Sequence, residues 1–127
     1  EGIDAIVPVP LSARRQRQRG YNQSYEIARG VAEVTGLPVF SHVVRRTHFK
    51  GSQTQLSPDE RRDNVKDAFA LNARQGWQRR ESIESRHLLL IDDVVTTGAT
   101  LTACAQALMT AKPSQISILT LAYSRSQ

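Results

Sequence analysis

The sequence predicts an α/β domain built on a mostly parallel sheet that is flanked by helices. Short segments rich in Ile, Val and Leu alternate along the chain with segments whose apolar residues recur every three or four positions. This alternation of strand and helix patterns is typical of the crossover units of parallel sheets. Residues 88–91 are all Leu or Ile, as expected for a central strand that is buried on both faces.

The first predicted elements are a strand and a helix. The strand covers residues 3–9, where branched apolar residues alternate and two prolines follow; proline cannot serve inside a sheet and so closes the strand. After an arginine-rich turn, a helix is predicted from Asn22 to Thr35. Asn22 is a good N-cap, and Gly36 is a typical stop signal. The apolar face of this helix is predicted to contain Ile27, Val31 and Val34, with Ala28 and Ala32 beside them.

In the middle of the chain, the sequence pattern predicts shorter elements. Residues 39–45 have the pattern of a second strand, whereas residues 46–58 lack apolar periodicity and are predicted to form a flexible loop. Ser57, Pro58 and Glu60 then have the spacing of a capping box with a proline in the first turn, which predicts a short helix. A brief strand at 68–71 and a polar connecting insertion at about 72–86 complete this region.

The last third of the chain predicts the central strand, a helix and a final strand. Leu101, Cys104 and Leu108 repeat at helical spacing, and residues 116–123 form the last strand pattern. No repeat and no second-domain boundary interrupts the chain, so we predict a single domain over residues 1–127.

Composition limits the classes of protein. The chain has 127 residues, a net charge of +5 and no apolar run near the ~20 residues of a membrane span. Its basic balance suits a diphosphate sugar, a nucleotide or nucleic acid without separating them. A single cysteine, Cys104, excludes an intrachain disulfide and a multi-cysteine metal site. We therefore expect a cytoplasmic protein, and the missing initiator Met leads us to expect a piece of a longer chain.

The stretch that carries chemistry follows the central strand. Asp92 and Asp93 come where the strand is expected to end, and a turn of threonines and one glycine leads into the next helix. Backbone N–H groups of such a turn and of a helix N-terminus bind anions, and threonine hydroxyls donate to phosphate oxygens. The aspartates suit vicinal hydroxyls, or a magnesium ion that a phosphorylated ligand also holds. Together these groups predict a ribose 5-phosphate site at the carboxyl end of the strand.

Residues 88–100, with four apolar residues followed by Asp-Asp-Val-Val-Thr-Thr-Gly-Ala-Thr, resemble the phosphoribosyl pyrophosphate (PRPP) signature of type I phosphoribosyltransferases. The flanking residues 7–11, 20–23 and 46–69 resemble ComF-type proteins. These are bacterial competence-associated, phosphoribosyltransferase-like proteins that include the GntX-type DNA-utilisation proteins. The resemblance covers essentially the whole chain in order and implies the type I phosphoribosyltransferase fold. Members usually carry an N-terminal four-cysteine zinc module, which this sequence lacks, so no zinc-linked function is carried over.

The resemblance implies a role for each matching residue. Asp92 and Asp93 would bind the ribose hydroxyls and are the candidate catalytic groups. The 5-phosphate would lie on Thr96, Thr97, Gly98, Ala99 and Thr100. The pyrophosphate would contact Leu11, Ser12, Arg15, Arg46 and Arg61. Mg2+ would enter with PRPP, near the two aspartates, without a metal site made of protein ligands alone.

Two functions from different classes remain open. The first is a phosphoribosyltransferase that transfers the phosphoribosyl group from magnesium–PRPP to an unknown base or amine, linked by resemblance to DNA uptake. The alternative is a non-catalytic PRPP or nucleotide sensor that binds single-stranded DNA or a competence protein. Of the arginine run at 14–19, Arg15 is expected to contact pyrophosphate, whereas Arg17 and Arg19 are expected to contribute little to PRPP binding and to face an outside partner. A homodimer is a further candidate assembly.

Overall fold

The computed structural model describes residues 2–11, 17–47, 69–72, 82–95 and 98–123, and for Tyr123 it describes the backbone alone. Its main elements are β1 (Ala5–Pro8), α1 (Gln23–Thr35), β2 (Val44–Arg46), β3 (Phe69–Leu71), β4 (His87–Val95), α2 (Ala99–Met109) and β5 (Gln115–Tyr123).

A parallel sheet forms the centre of the domain. Its strand order is β1–β4–β5, and both pairings are parallel, while β2 and β3 form a separate antiparallel pair. The order places β4 between two neighbours, which agrees with the uninterrupted apolar run in its first half. The predicted α/β class with a mostly parallel sheet is confirmed.

The two helices cover opposite faces of this sheet. On one face, Ile6, Leu89 and Ile91 pack against Ala28 of α1. On the other face, Val7 and Leu90 belong to a larger cluster with α2 and the β2–β3 pair. The α2 residues buried in that cluster are Leu101, Ala103, Cys104 and Leu108. Alternation of side chains along each strand thus supplies both layers of the core.

Helix α1 has the predicted bounds, and Ile27 and Val31 pack against the core as predicted, but Val34 does not. The Asn22 side chain accepts a hydrogen bond from the Ser24 N–H at 3.0 Å, and Gly36 ends the helix in the left-handed conformation with φ 77°. Val34, predicted to be on the apolar face, is 87% exposed. The buried face is centred on Ala28, and six residues at 100° each place Val34 about 120° away from it.

The predicted strand at 39–45 is wrong in extent. Val39 makes a single parallel bridge to Ile6, and the Phe40 N–H donates to the Ile6 carbonyl at 2.7 Å. The next hydrogen bond on this side would need an N–H from Pro8, which proline lacks. The chain then turns, and β2 pairs with β3 instead.

Strand β4 is longer than predicted. Its pairing with β1 ends at Ile91, opposite Pro8, but its pairing with β5 continues to Val95. Asp92 and Asp93 were predicted to lie where the strand ends, but β4 continues for two residues beyond them. They follow the last residue that β1 covers, and none of the described residues pairs with this edge of β4 beyond Ile91.

Some of the remaining predicted elements are confirmed, and others fall on residues that the structure does not describe. The short strand near 68–71 and the last strand are present as β3 and β5. The predicted helix that begins at Ser57, the loop beyond Thr47 and most of the polar insertion lie outside the described residues. Within the described end of that insertion, Ile83 is buried in the core. None of the helices in the described ranges has the length and apolar character needed to cross a membrane.

We expect Leu90→Ala to lower the free energy of unfolding by about 2–5 kcal/mol, because Leu90 is fully buried and its truncation leaves a cavity. Leu121→Ala is the matched control, since Leu121 is 66% exposed and should change stability by less than about 0.5 kcal/mol. Urea unfolding of both variants checks this, and equal losses would contradict the central position of β4.

Candidate functional site

A cleft with a cavity volume of about 110 Å³ lies where the open edge of β4 faces the N-terminus of α2. It brings together predicted site residues from four separate parts of the sequence. These residues are Leu11, Arg46, Asp92, Asp93, Gly98, Ala99 and Thr100. Such a position, outside the carboxyl ends of parallel strands, is where α/β sheets commonly bind ligands.

Five predicted site residues cannot be placed in this cleft. They lie outside the described part of the chain: Ser12, Arg15, Arg61, Thr96 and Thr97.

The Asp92 carboxylate is the buried member of the acidic pair. Asp92 is 9% exposed, and its Oδ1 accepts hydrogen bonds from the Ser24 hydroxyl at 3.3 Å and from the Asp93 N–H at 2.9 Å. Burial raises the pKa of Asp92, and the neighbouring Asp93 charge raises it further, although the backbone hydrogen bond opposes the shift. The hydrogen bonds to Asp92 therefore do not fully offset the cost of burying its charge beside Asp93. A bound cation or bound hydroxyl groups would stabilise the ionised pair.

Asp93 is more accessible and contacts a cation. Its Oδ1 accepts from the Val94 N–H at 2.8 Å, and its Oδ2 lies 3.6 Å from Nη1 of Arg19. The Arg19 side chain is 47% exposed, against 27% for Asp93. The sequence interpretation left Arg19 to an outside partner, whereas the structure places it in the wall of the cleft.

The wall opposite β4 is formed where β1 ends. The Val9 carbonyl accepts from the Asn22 side-chain amide at 3.3 Å, and the Pro10 carbonyl accepts from Nε of Arg46 at 3.0 Å. The Arg46 guanidinium also lies 4.8 Å from the centre of the Phe69 ring, within the range of a cation–π contact. This arrangement holds a positive charge beside the segment that continues to Leu11.

The N-terminus of α2 forms the anion-binding side of the cleft. Gly98 precedes the helix with φ 85°, in the left-handed conformation that glycine adopts readily. Gly98, the N-cap residue of α2, makes no side-chain cap hydrogen bond. The N–H groups of a first helical turn carry partial positive charge and suit a phosphate.

The described residues contain no cluster of three or more His, Cys, Asp or Glu that would hold a metal ion by itself. The two adjacent carboxylates could supply only part of the coordination shell of Mg2+. This ion usually keeps several waters and binds substrate phosphates in addition to one or two carboxylates. Cys104 lies beneath the site on α2, and burial raises the pKa of its thiol to about 12. It therefore stays protonated and serves as a core residue.

Sequence reasoning missed two side chains of the site. Ser24 contacts Asp92 across 68 residues of sequence, and Arg19 contacts Asp93 across a similar separation. No local pattern reports such contacts. The one available signal was the position of both residues around the predicted N-cap, Asn22, because a helix that covers a parallel sheet begins near the carboxyl ends of its strands.

Comparisons with known proteins agree with this geometry. A family model described as the phosphoribosyl transferase domain matches residues 18–127. Competence protein F of Haemophilus influenzae is 35% identical over 105 residues, which cover 83% of this chain and 44% of that protein. DNA utilization protein YhgH of Escherichia coli K12 is 37% identical over 106 residues, covering 84% and 43%.

Two further matches extend the comparison. Competence protein ComFC of Bacillus subtilis is 30% identical over 117 residues, covering 91% of this chain and 43% of that protein. The chain thus spans less than half the length of these curated relatives. Among solved structures, glutamine PRPP amidotransferase from B. subtilis, complexed with ADP and GMP, superposes with a TM-score of 0.59. The match covers 95% of this chain and 23% of the amidotransferase at 21% identity, so it shows the fold alone.

We expect Asp92→Asn to raise the free energy of unfolding of the unliganded domain near neutral pH. The amide keeps the acceptor Oδ1 and removes a buried charge. Because the folded pKa of Asp92 is raised, its stabilising contribution is present below the ordinary Asp pKa and is lost as the pH rises through the folded pKa. The advantage of the variant should therefore shrink in acid.

Thermal unfolding between pH 3 and pH 8 measures this difference. Glu84→Gln, at an exposed position, is the control with the same charge change and should show no such pH dependence. A destabilised Asp92→Asn variant at neutral pH would contradict the assignment of Asp92 as an undercompensated buried carboxylate.

Proposed function

Because the chain belongs to the phosphoribosyl transferase domain family, we propose that its cleft binds PRPP with magnesium and that the domain transfers the phosphoribosyl group to a base or amine acceptor. The observation that carries this proposal is the pairing of opposite chemistries in one cleft. Asp92 and Asp93 stand on one side, and the first turn of α2, preceded by Gly98, stands on the other. A ribose 5-phosphate has the matching groups, a diol and a phosphate.

The ribose end uses the acidic pair and the helix start. The 2- and 3-hydroxyls donate to carboxylate oxygens of Asp92 and Asp93, which relieves the undercompensated charge of the pair. The 5-phosphate accepts hydrogen bonds from the N–H groups of Ala99 and Thr100 and from the Thr100 hydroxyl. Thr96 and Thr97 belong to the same proposal by their place in the motif.

The pyrophosphate end uses the β1 wall and the arginines. Arg46 is held by the Pro10 carbonyl and by Phe69, so its charge has a defined position. Leu11 continues this wall, and Ser12, Arg15 and Arg61 extend the proposed contacts. When bound, Mg2+ would lie near Asp92 and Asp93 and supply charge neutralisation for the diphosphate oxygens.

Transfer breaks the bond between C1 of the ribose and the pyrophosphate oxygen, and a new bond forms from the acceptor nitrogen to C1. Positive charge develops on the ribose and negative charge on the leaving group. Arg46 acts on the leaving group electrostatically, and the carboxylates favour the positive ribose. Asp93, the more exposed carboxylate, is the candidate to receive a proton from the acceptor.

A non-catalytic sensor is the second candidate function. Two of the matched relatives are named for competence and one for DNA utilization. Arg17 is exposed beside Arg19, at the end of an arginine run. In this alternative the same cleft binds PRPP or a nucleotide without transfer, and the arginine run binds single-stranded DNA or a competence protein.

We expect the double variant Asp92→Asn with Asp93→Asn to weaken the binding of magnesium–PRPP by about 2–5 kcal/mol, because charged acceptors for the ribose hydroxyls are lost. Isothermal titration calorimetry measures the change. Glu26→Gln with Glu33→Gln, two exposed α1 positions, gives the same change in net charge and should leave affinity unaltered. Equal affinity in the acidic-pair variant and the wild type would remove the proposed site.

Release of pyrophosphate from PRPP separates the enzyme from the sensor. We expect release with at least one member of a panel of nucleobases and amines, and none from the acidic-pair variant. The sensor would instead show PRPP binding without release for every acceptor. It would also bind an oligonucleotide, and the salt slope would fall by about 0.7 for each arginine of the run that is replaced.

A further inference from the structure

The acidic pair is held from the N-terminal side of α1 by a short segment, residues 19–24. Asn22 anchors the segment to the end of β1 through the Val9 carbonyl, and Ser24 anchors it to Asp92. Gly20, with φ 81°, turns the chain between these anchors and Arg19. The segment therefore sets the position of the Arg19 backbone beside the cleft.

The side chain of Arg19 is held much less firmly than its backbone. Its Nη1 lies 3.6 Å from Oδ2 of Asp93, and its side chain is 47% exposed. Exposed ion pairs of this kind contribute about 0–1 kcal/mol. The guanidinium can thus leave Asp93 at low cost, whereas Asn22 and Ser24 make helix-cap and buried contacts that keep their positions.

Arg19 and a ribose ligand need the same carboxylate. A diol or a magnesium ion at Asp93 takes the oxygen that faces Arg19, and the displaced guanidinium then loses its anionic partner. A ligand that carries a diphosphate offers a new partner within the same cleft, where Arg46 already lies. A ligand with a diol and a 5-phosphate alone offers none at that end.

Resting on the proposed function, we propose that Arg19 is a specificity-determining residue that pairs with Asp93 in the unliganded cleft and transfers to the ligand's diphosphate on binding. In the unliganded state Arg19 partly neutralises the acidic pair and opposes the entry of magnesium or a bare ribose phosphate. In the liganded state it strengthens the binding of a diphosphate. Arg19 thereby selects PRPP over ribose 5-phosphate.

Arg19→Gln tests this with Arg17→Gln as the matched control, which makes the same charge change at a neighbouring exposed position. Calorimetry with magnesium is run for PRPP and for ribose 5-phosphate, and magnesium alone is titrated separately. We expect Arg19→Gln to weaken PRPP binding about tenfold or more, the loss expected for a hydrogen bond to a charged group. We expect it to tighten ribose 5-phosphate and magnesium about two- to fivefold.

The opposite signs distinguish selection from a general effect of charge. Arg17→Gln should change each affinity less than about twofold, because exposed charges that are not paired with the ligand are screened. Equal weakening of PRPP by both variants would overturn the proposal, as would weaker ribose 5-phosphate binding in Arg19→Gln. If the wild type binds neither sugar, the proposed function fails. The magnesium titration then decides, because unchanged magnesium affinity in Arg19→Gln would overturn the pairing role as well.

Discussion

The site depends on where β1 stops and on what satisfies its last carbonyl groups. Pairing with β4 ends at Ile91, and beyond it the Val9 and Pro10 carbonyls accept from the side chains of Asn22 and Arg46. Buried backbone acceptors need such partners. These two hydrogen bonds connect α1 and β2 to the end of β1, while β4 continues along β5 alone. The cleft forms in the space between them, with the acidic pair on its floor.

In the unliganded cleft, the hydrogen bonds to Asp92 only partly offset the cost of burying its charge. Burial works against ionised Asp92, and the Asp93 carboxylate lies 3.6 Å from the Arg19 guanidinium. The N-cap residue of α2, Gly98, makes no side-chain cap hydrogen bond. The buried charge of Asp92 costs stability in the unliganded domain, and under the proposed function the ribose hydroxyls relieve that cost. Conflict between local stability and ligand binding is common at functional sites.

The sequence predicted those parts that depend on local patterns. Asn22 and Gly36 gave the bounds of α1, and the run at 88–91 gave the central strand, because caps and apolar periodicity act over a few residues. The extent of the second strand was missed because Val39 pairs with Ile6 of β1, which is distant in sequence, and the missing N–H of Pro8 limits this pairing to one bridge. Arg19 and Ser24 were missed for the same reason, since both contacts span many residues and no periodicity encodes them.

Backbone amide shifts in an NMR titration of the 15N-labelled domain with magnesium–PRPP test the central claim most directly. The account predicts the largest shifts at Asp93, Val94, Gly98, Ala99 and Thr100, which surround the cleft. Amides at the opposite end of β4, beginning with His87, should stay nearly unchanged. Shifts centred on that opposite end, or no shifts at saturating PRPP, would contradict the assignment of this cleft as the PRPP site.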